Sequence, residues 1–178
     1  MQLTTDRLLL REFVEEDWRA VLAYQQNPLY YRYYAQEAQS EQGARAFVKM
    51  FLDQQATTPR IKFQLAITLK ENGQLIGNCG LRMKVVDAIE GDIGYELNPD
   101  YWGKGYATEA AKAMVQHGFA VRNLHRIWSW CIADNVGSYR VMEKVGMRKE
   151  GHLRQNEFYK GRYWDTLVYA MLEDEWQP

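Results

Sequence analysis

The segment 93–110 constrains the fold of this chain more than any other, because it reads as a strand, a tight turn and the start of a helix. Apolar residues alternate with other residues as far as Leu97, which is the pattern of a strand. Pro99 then ends the strand, since it has no amide hydrogen to donate to a neighbouring strand. Beyond Gly103 and Gly105, apolar residues recur at spacings of three and four, the period of one helix face.

The glycine-rich turn predicts a phosphate or pyrophosphate site near residues 103–108. The first turn of a helix carries N–H groups without an internal partner, and the helix dipole is positive there. Glycine lets the backbone approach a bulky anion closely. A dinucleotide-binding pattern would need Gly or Ala at Thr108, and the phosphate loop of nucleotide hydrolases would need Gly-Lys-Ser/Thr, so both are excluded. Taken alone, the turn would favour a helix with a glycine-rich start and no ligand.

A second segment, 134–147, follows another predicted strand and favours a ligand. Together the two segments resemble the GNAT superfamily of acetyl-CoA-dependent N-acetyltransferases. More narrowly, they resemble the branch of ribosomal-protein N-terminal acetyltransferases of the RimJ/RimL type. The superfamily pattern Gln/Arg-x-x-Gly-x-Gly/Ala aligns with the segment 102–107, where Trp102 departs from Gln or Arg. The second pattern, Asn-x-x-Ser followed by Lys-x-Gly, matches Asn135, Ser138, Lys144 and Gly146.

The resemblance also covers the segments 5–11 and 161–165, so it extends over nearly the whole chain. It implies an α/β (α+β) fold: a mixed, mostly antiparallel central sheet of about seven strands, flanked by helices and splayed between its central parallel pair. The order of the sequence patterns agrees with such a sheet, with a first strand expected over residues 3–13. No linker or repeat interrupts residues 1–178, which predicts a single N-acetyltransferase domain.

By resemblance, the cofactor is acetyl-CoA. Its pantetheine arm would pair with backbone groups near Leu97 and Asn98, and an amide N–H at that place can polarise the thioester carbonyl. The predicted cofactor-binding residues are Leu97, Asn98, Trp102, Gly103, Lys104, Gly105, Tyr106, Ala107, Thr108, Asn135, Ser138 and Lys144.

Transfer to an amine needs one group to take the amine proton and another to protonate the leaving thiolate. Glu96 is the predicted base, Asp92 is a second candidate, and water or backbone carbonyls are the third. Many relatives carry a Tyr on the second helix as the acid, but Met142 stands at that position, so the resemblance moves the role to Ser138. The alternative for Ser138 is a hydroxyl that satisfies a helix N–H. Cys131 reads as a small buried residue near the cofactor rather than as a nucleophile.

An unusual tyrosine-rich run, 30–34, lies where the acceptor groove of the family is walled. Tyr31 and Tyr34 are predicted to bind the substrate, and so is Trp164 on the other side of the groove. The adjacent Asp165 could attract a cationic amine. The tyrosine rings could equally pack this short segment onto the sheet.

Composition excludes several classes of protein. A net charge of −1 argues against a general nucleic-acid or membrane-surface binder. No apolar run reaches the roughly 20 residues that span a bilayer, and no basic-then-apolar leader is visible. Cys79 and Cys131 are too few for a disulfide framework, so a cytoplasmic location is expected. The three histidines lack ligand spacing, so no metal site is expected. The sequence does not distinguish a monomer from a homodimer.

The predicted function is therefore acetyl transfer from acetyl-CoA to a primary amine by direct attack in a ternary complex. By analogy, the acceptor is a protein or peptide N-terminus. A small amine, such as a polyamine, an aminoglycoside or an amino acid, is the alternative within the same class. A non-catalytic acyl-CoA-binding sensor is the alternative from another class, because Met142 cannot donate a proton.

Overall fold

The computed structural model describes residues 1–36 and 39–177. The strands are β1 (Gln2–Thr4), β2 (Leu8–Arg11), β3 (Lys62–Leu69), β4 (Leu75–Arg82), β5 (Glu90–Leu97), β6 (Arg126–Ile132), β7 (Arg148–Tyr159) and β8 (Arg162–Leu172). The α-helices are α1 (Trp18–Gln25), α2 (Glu41–Ala56), α3 (Tyr106–Ala120) and α4 (Val136–Val145). Short 3₁₀ turns occupy, among other places, the segments Tyr30–Tyr33 and Pro99–Tyr101.

The strands form one sheet in the order β1-β2-β3-β4-β5-β6-β8-β7. Neighbouring strands run antiparallel, except for β5 and β6, which are parallel. The predicted mixed sheet with a central parallel pair is therefore confirmed. The sheet has one strand more than expected, because the predicted strand 3–13 turns back on itself, where the Thr5 N–H donates to the Leu8 carbonyl at 3.0 Å.

Helices cover both faces of the sheet. The apolar face predicted for α3 is buried at Ala110, Ala111, Met114, Val115, Gly118 and Phe119. That face packs with Leu65, Ile67 and Ile127 in the larger core. On the opposite face, α1 and α2 bury Val21, Tyr24 and Val48 in a second core that also contains Tyr30. Each helix thus buries one apolar stripe against the sheet, which is the main source of stability for such helices.

The central parallel pair separates soon after it forms. Pairing between β5 and β6 covers only residues 90–92 opposite 126–128. Beyond that point β5 stays with β4 as far as Leu97, and β6 stays with β8 as far as Ile132. The Ser129 hydroxyl donates to the Ile93 carbonyl at 2.8 Å near the point of separation. The two arms then enclose a gap in the middle of the sheet.

Candidate active site

The gap opens into a cleft of about 710 Å³. Its walls come from four segments far apart in the sequence: the turn 29–34, the end of β5, the loop before α3 with its first turn, and the start of α4. The lining residues are Leu29, Tyr30, Arg32, Tyr33, Tyr34, Tyr95, Glu96, Leu97, Tyr101, Trp102, Gly103, Gly105, Tyr106, Ala107, Thr108, Asp134, Asn135, Val136, Gly137, Ser138, Arg140, Val141 and Lys144. One cleft therefore joins the glycine loop, both predicted catalytic residues and part of the tyrosine run.

The loop before α3 has a backbone shape that requires glycine. Gly103 and Gly105 have φ angles of +74° and +82°, which side chains of L-residues rarely adopt. A Cβ added at Gly103 would meet no atom within 4 Å, so the loop leaves open space there. Gly105 immediately precedes α3, and no side chain caps the first-turn N–H groups of that helix. Open space beside uncapped amides at a positive helix end fits a pyrophosphate.

Arg7 braces this loop from the turn between β1 and β2. Its guanidinium donates to the Lys104 carbonyl at 3.0 Å and to the Glu109 carboxylate at 2.7 Å, and it lies over the Tyr106 ring. The Thr5 hydroxyl also donates to Glu109 at 2.6 Å. Burial opposes ionisation of Glu109, but the hydrogen bonds from Thr5 and Arg7 outweigh it and lower the pKa of this carboxyl. The first turn of α3 is thus tied to the edge of the sheet.

Two of the predicted cofactor residues have side chains that form hydrogen bonds within the turn before α3. The Lys104 ammonium donates to the Asp100 carbonyl at 3.0 Å, and the Asn98 side chain accepts the Asp100 N–H at 3.1 Å. Both side chains therefore stabilise the turn 98–104 itself, and of the described residues neither belongs to the cleft lining. Trp102 lines the cleft, but its indole N–H donates to the Leu97 carbonyl at 2.8 Å.

Leu97 offers a backbone N–H to the cleft, whereas Asn98 does not. The Asn98 N–H donates to the Ile76 carbonyl of β4 at 2.8 Å. Because hydrogen-bonding groups alternate between the two edges of a strand, the Leu97 N–H faces the opposite edge, from which β6 has moved away. Of the two residues predicted to pair with a pantetheine arm, Leu97 has the suitable orientation.

The start of α4 forms the opposite wall. Asn135 caps this helix, and its side-chain oxygen accepts the Ser138 N–H at 3.2 Å. Asn135, Ser138 and Lys144, which are predicted to contact the cofactor, all line the cleft. Arg140 also lines it, although its guanidinium is paired with Glu143 at 2.8 Å. The Ser138 hydroxyl is not needed as a cap, because Asn135 serves that purpose.

A tyrosine from β5 reaches across to α4. The Tyr95 hydroxyl donates to the Ser138 carbonyl at 2.7 Å and lies 3.3 Å from the Ser138 hydroxyl oxygen. Burial raises the pKa of the Cys131 thiol to about 11. A protonated thiol is a poor nucleophile, which disfavours an acetyl-cysteine intermediate. Met142 is buried in the core and has no proton to donate.

Glu96 lies at the centre of a hydrogen-bond network. Its Oε1 accepts from the Tyr24 hydroxyl at 2.5 Å, from Asn78 Nδ2 at 2.5 Å and from Gln25 Nε2 at 3.3 Å. Its Oε2 accepts from the Tyr30 hydroxyl at 2.5 Å. Among the described residues, Oε2 thus has one donor against three for Oε1, so Oε2 keeps the capacity to accept another proton.

The environment of Glu96 favours its protonated form. Burial raises the pKa of this carboxyl, and the hydrogen bonds from Tyr24, Tyr30, Asn78 and Gln25 only partly offset that effect. The residue nevertheless lines the cleft and keeps partial exposure. A carboxylate with a raised pKa at a cleft wall suits general-base catalysis, because it binds a proton more strongly than an ordinary carboxylate.

The tyrosine run forms an aromatic wall beside Glu96. Tyr30 and Tyr34 stack with ring centroids 5.0 Å apart, and both line the cleft. Tyr31 is buried, and its hydroxyl accepts the Gln39 N–H at 2.9 Å. Trp164 is also buried, because it stacks on Tyr159 at 5.1 Å. Of the three predicted substrate residues Tyr34 is therefore in the cleft, while Tyr31 and Trp164 support the wall from behind.

The other two candidate carboxylates have partners outside the cleft. Asp92 forms an ion pair with Arg82, whose Nε donates at 2.7 Å. Asp165 accepts the Gln155 N–H at 2.8 Å and lies 2.6 Å from the His152 ring, and these contacts lower the pKa of Asp165. Neither carboxylate lines the cleft as far as the chain is described.

Sequence reasoning missed several residues that build the site. Tyr24 and Asn78 reach Glu96 from positions 72 and 18 residues away, and no local pattern indicated these contacts. Tyr95 did carry a signal, since strand alternation placed it on the same face as Leu97. Arg7 lay within the opening segment of the family resemblance, but its hydrogen bonds to the loop were not foreseen.

Fold and cleft define a class of protein: an acyltransferase in which a splayed sheet and a glycine-rich helix start receive a coenzyme A thioester. Residues 7–148 match the model of the acetyltransferase (GNAT) domain. The chain belongs to the GNAT family of acetyl-CoA-dependent N-acetyltransferases. This confirms the predicted family, enzyme class and cofactor.

Relatives of known sequence and structure agree with this assignment. The chain is 38% identical to the uncharacterised N-acetyltransferase YnaD of Bacillus subtilis over 99% of both proteins. It is 34% identical to a GNAT acetyltransferase from Bacillus anthracis, with a TM-score of 0.86 over 98% of this chain and 100% of that one.

Two more distant solved structures share the fold. A ribosomal-protein-S5-alanine acetyltransferase from Vibrio fischeri has 20% identity and a TM-score of 0.83 over 100% of both chains. A spermidine N-acetyltransferase from Vibrio cholerae, in complex with CoA and spermine, has 21% identity and a TM-score of 0.80 over 96% of this chain and 98% of that one. At such identities the likeness concerns the fold alone.

Two further features concern the described residues only. Within 1–36 and 39–177, no group of three or more His, Cys, Asp or Glu side chains is arranged to hold a metal ion. Over the same ranges, no helix has the length and apolar character needed to cross a membrane.

Proposed function

We propose that the protein acetylates the α-amine of a protein or peptide N-terminus, by direct attack of the amine in a ternary complex. Acetyl-CoA supplies the activated acetyl thioester, and residues of this chain bind, orient and exchange protons. The observation that carries the proposal is the carboxylate of Glu96, which has a raised pKa and lines the same cleft as the glycine loop.

Glu96 takes up the amine proton in this proposal. An aliphatic amine is mostly protonated at neutral pH, so it must lose a proton before it can attack. The Glu96 Oε2 atom, which accepts only from Tyr30 among the described residues, is the oxygen that can receive it. The stacked Tyr30 and Tyr34 rings beside it would attract an ammonium group through their π faces.

Leu97 and Ser138 serve the other half of the reaction. The Leu97 N–H faces the open edge of β5, where it can donate to an oxygen that gains negative charge. Because Asn135 caps α4, the Ser138 hydroxyl is available to donate a proton to the departing sulfur. Direct attack is favoured over a two-step route because burial keeps the Cys131 thiol protonated.

The charges of the cleft favour an acceptor with a single ammonium group. Only two of the lining residues that the structure describes are carboxylates, Glu96 and Asp134, and Asp134 is paired with Arg162 at 2.5 Å. Arg32 is exposed at the same cleft, where a second ammonium group would be repelled. A peptide N-terminus meets this requirement, whereas a polyamine carries several positive charges.

The test is release of free thiol from acetyl-CoA with matched acceptors. A lysine-free peptide with a free N-terminus is compared with an N-acetylated peptide that has one lysine, and with spermidine; mass spectrometry locates the product. We expect the free N-terminus to be preferred by at least about tenfold in kcat/KM. Preference for spermidine would identify a small-amine enzyme, and coenzyme A binding without turnover would identify a sensor.

Arg32→Glu provides the matched variant. The change should raise the relative use of spermidine, because it converts a repulsive charge at the cleft into an attractive one. Arg19→Glu is the control, since Arg19 is exposed over Trp18 and outside the cleft lining. Equal selectivity in both variants would contradict the single-ammonium argument.

A further inference from the structure

A hydrogen bond links β5 to α4, the helix that follows β6, across the opening in the sheet. Tyr95 projects from β5 toward α4, and its hydroxyl donates to the Ser138 carbonyl at 2.7 Å. The same hydroxyl oxygen lies 3.3 Å from the Ser138 hydroxyl. Both residues line the cleft, at a level where β5 and β6 are no longer paired. The bridge therefore spans the place where the arms lie apart.

The bridge controls where the Ser138 hydroxyl can point. The Tyr95 proton is already directed at the Ser138 carbonyl, so the phenol oxygen can only accept from the Ser138 hydroxyl. The Ser138 proton therefore rests on the phenol oxygen across a long 3.3 Å contact, from which it can turn toward a sulfur atom in the cleft.

Tyr95 is suited to hold its neighbour rather than to ionise. Burial raises the pKa of this phenol, and the hydrogen bond with Ser138 only partly opposes the effect. The phenol therefore keeps its proton at physiological pH. The Tyr95 ring also packs against the larger core, so the position of its hydroxyl group is fixed.

We propose that Tyr95 is a positioning residue that orients the Ser138 hydroxyl toward the sulfur of bound coenzyme A and so stabilises its thiolate. The inference rests on the function proposed above. In the step concerned, the amine nitrogen has already bonded to the acetyl carbon, the carbon–sulfur bond breaks, the electron pair stays on sulfur, and the Ser138 hydroxyl donates a hydrogen bond to the thiolate. Tyr95 transfers no proton itself.

The test titrates the thiol of bound coenzyme A by the ultraviolet absorbance of its thiolate, with the desulfo-CoA complex as the blank. This measurement needs neither an acceptor nor turnover. The variants are Tyr95→Phe, Ser138→Ala, the double variant, and Tyr139→Phe as a control that lies outside the cleft lining. Coenzyme A affinity is measured for each variant to ensure saturation.

We expect the pKa of the bound thiol to rise in Tyr95→Phe and in Ser138→Ala, and to rise no further in the double variant, because the two residues act as one unit. Tyr139→Phe should match the wild type. A thiol pKa that is unchanged in Tyr95→Phe, or effects that add in the double variant, would overturn the inference.

Turnover with the best acceptor separates this inference from the proposed function. Tyr95→Phe should lower kcat about tenfold while it changes the KM for acetyl-CoA less than about twofold. If the wild type turns over no amine, the proposed function fails, and the thiol titration still decides the role of Tyr95. A raised KM with unchanged kcat in Tyr95→Phe would indicate a merely structural contact.

Discussion

Glu96 shows how a single residue acquires chemistry from its neighbours. Asp92 lies on the same face of the strand but forms an ion pair with Arg82. Glu96 instead faces the cleft, where phenol and amide groups donate hydrogen bonds to it. The carboxylate is therefore held in one orientation, with Oε2 toward the aromatic wall. The proposed base differs from its neighbour by environment and not by type of side chain.

Glu96→Gln should reduce kcat/KM by about 10²–10⁴-fold, the range for loss of a general base. It should also remove the ionisation that limits the wild-type rate at low pH. Rates are measured across pH with saturating acetyl-CoA. Asp92→Asn is the matched control, with less than about threefold change expected. A Glu96→Gln profile parallel to that of the wild type would reduce Glu96 to a structural role.

Stability should depend on pH in a direction fixed by the same carboxyl. Because the pKa of Glu96 is raised above its ordinary value of 4.5, its contribution to stability is full below that value and is lost as pH rises through the folded-state pKa. The Tm of the wild type minus that of Glu96→Gln should therefore fall between pH 4 and pH 8. For Glu109, whose pKa is lowered from 4.5, the contribution is full above that value and is lost as pH falls, so the Tm difference between the wild type and Glu109→Gln should shrink only below about pH 4.5. Thermal unfolding across pH checks both signs.

At the residue scale, the sequence predicted positions better than partners. Glu96 was predicted from its place on the central strand and Ser138 from the family resemblance, and both lie in the cleft. The pairing of Asp165 with His152 and the enclosure of Trp164 depend on how β7 and β8 pack. Such contacts depend on tertiary packing and leave no periodic signal.

The glycine loop and α3 act as one element, and this element was the most predictable part of the chain. Its signals are local: positive φ angles need glycine, and one helix face needs apolar residues every three or four positions. The division of the segment 3–13 into β1 and β2 was missed, because a turn at Thr5 without Gly or Pro gives no comparable signal. Local sequence signals therefore predicted the loop and α3, but they did not predict the boundary between β1 and β2.

Gly105→Asp should weaken acetyl-CoA binding at least about 100-fold, because a carboxylate would stand where a pyrophosphate is expected. Gly105→Asn has nearly the same shape without the charge and tolerates positive φ, so it should bind more tightly than Gly105→Asp. Gly73→Asp is the backbone control, since Gly73 has a φ of +74° in open space outside the cleft lining. Isothermal titration gives the affinities; wild-type affinity in Gly105→Asp would refute the loop assignment.

At the scale of the molecule, the opening in the sheet brings two separate cores to one reaction centre. Tyr24 and Tyr30 belong to the core beneath α1 and α2, and they reach Glu96 from that side. Leu97 and Tyr95 pack with the core beneath α3 and α4, on the side of the glycine loop. The groups proposed to handle the acceptor and those proposed to hold the cofactor are thus built on opposite faces of the sheet.

This division predicts that cofactor binding and acceptor chemistry can be separated by mutation. Acetyl-CoA at about 100 times its Kd should stabilise the fold by about 2.7 kcal/mol, or roughly 5–10 °C in Tm for a chain of this size. Glu96→Gln and Arg32→Glu should keep that shift although their acceptor kinetics change, whereas Gly105→Asp should lose it. Differential scanning calorimetry with and without acetyl-CoA measures each shift. Loss of the shift in Glu96→Gln would mean that the two halves of the cleft are coupled, because the acceptor network would then also hold the cofactor.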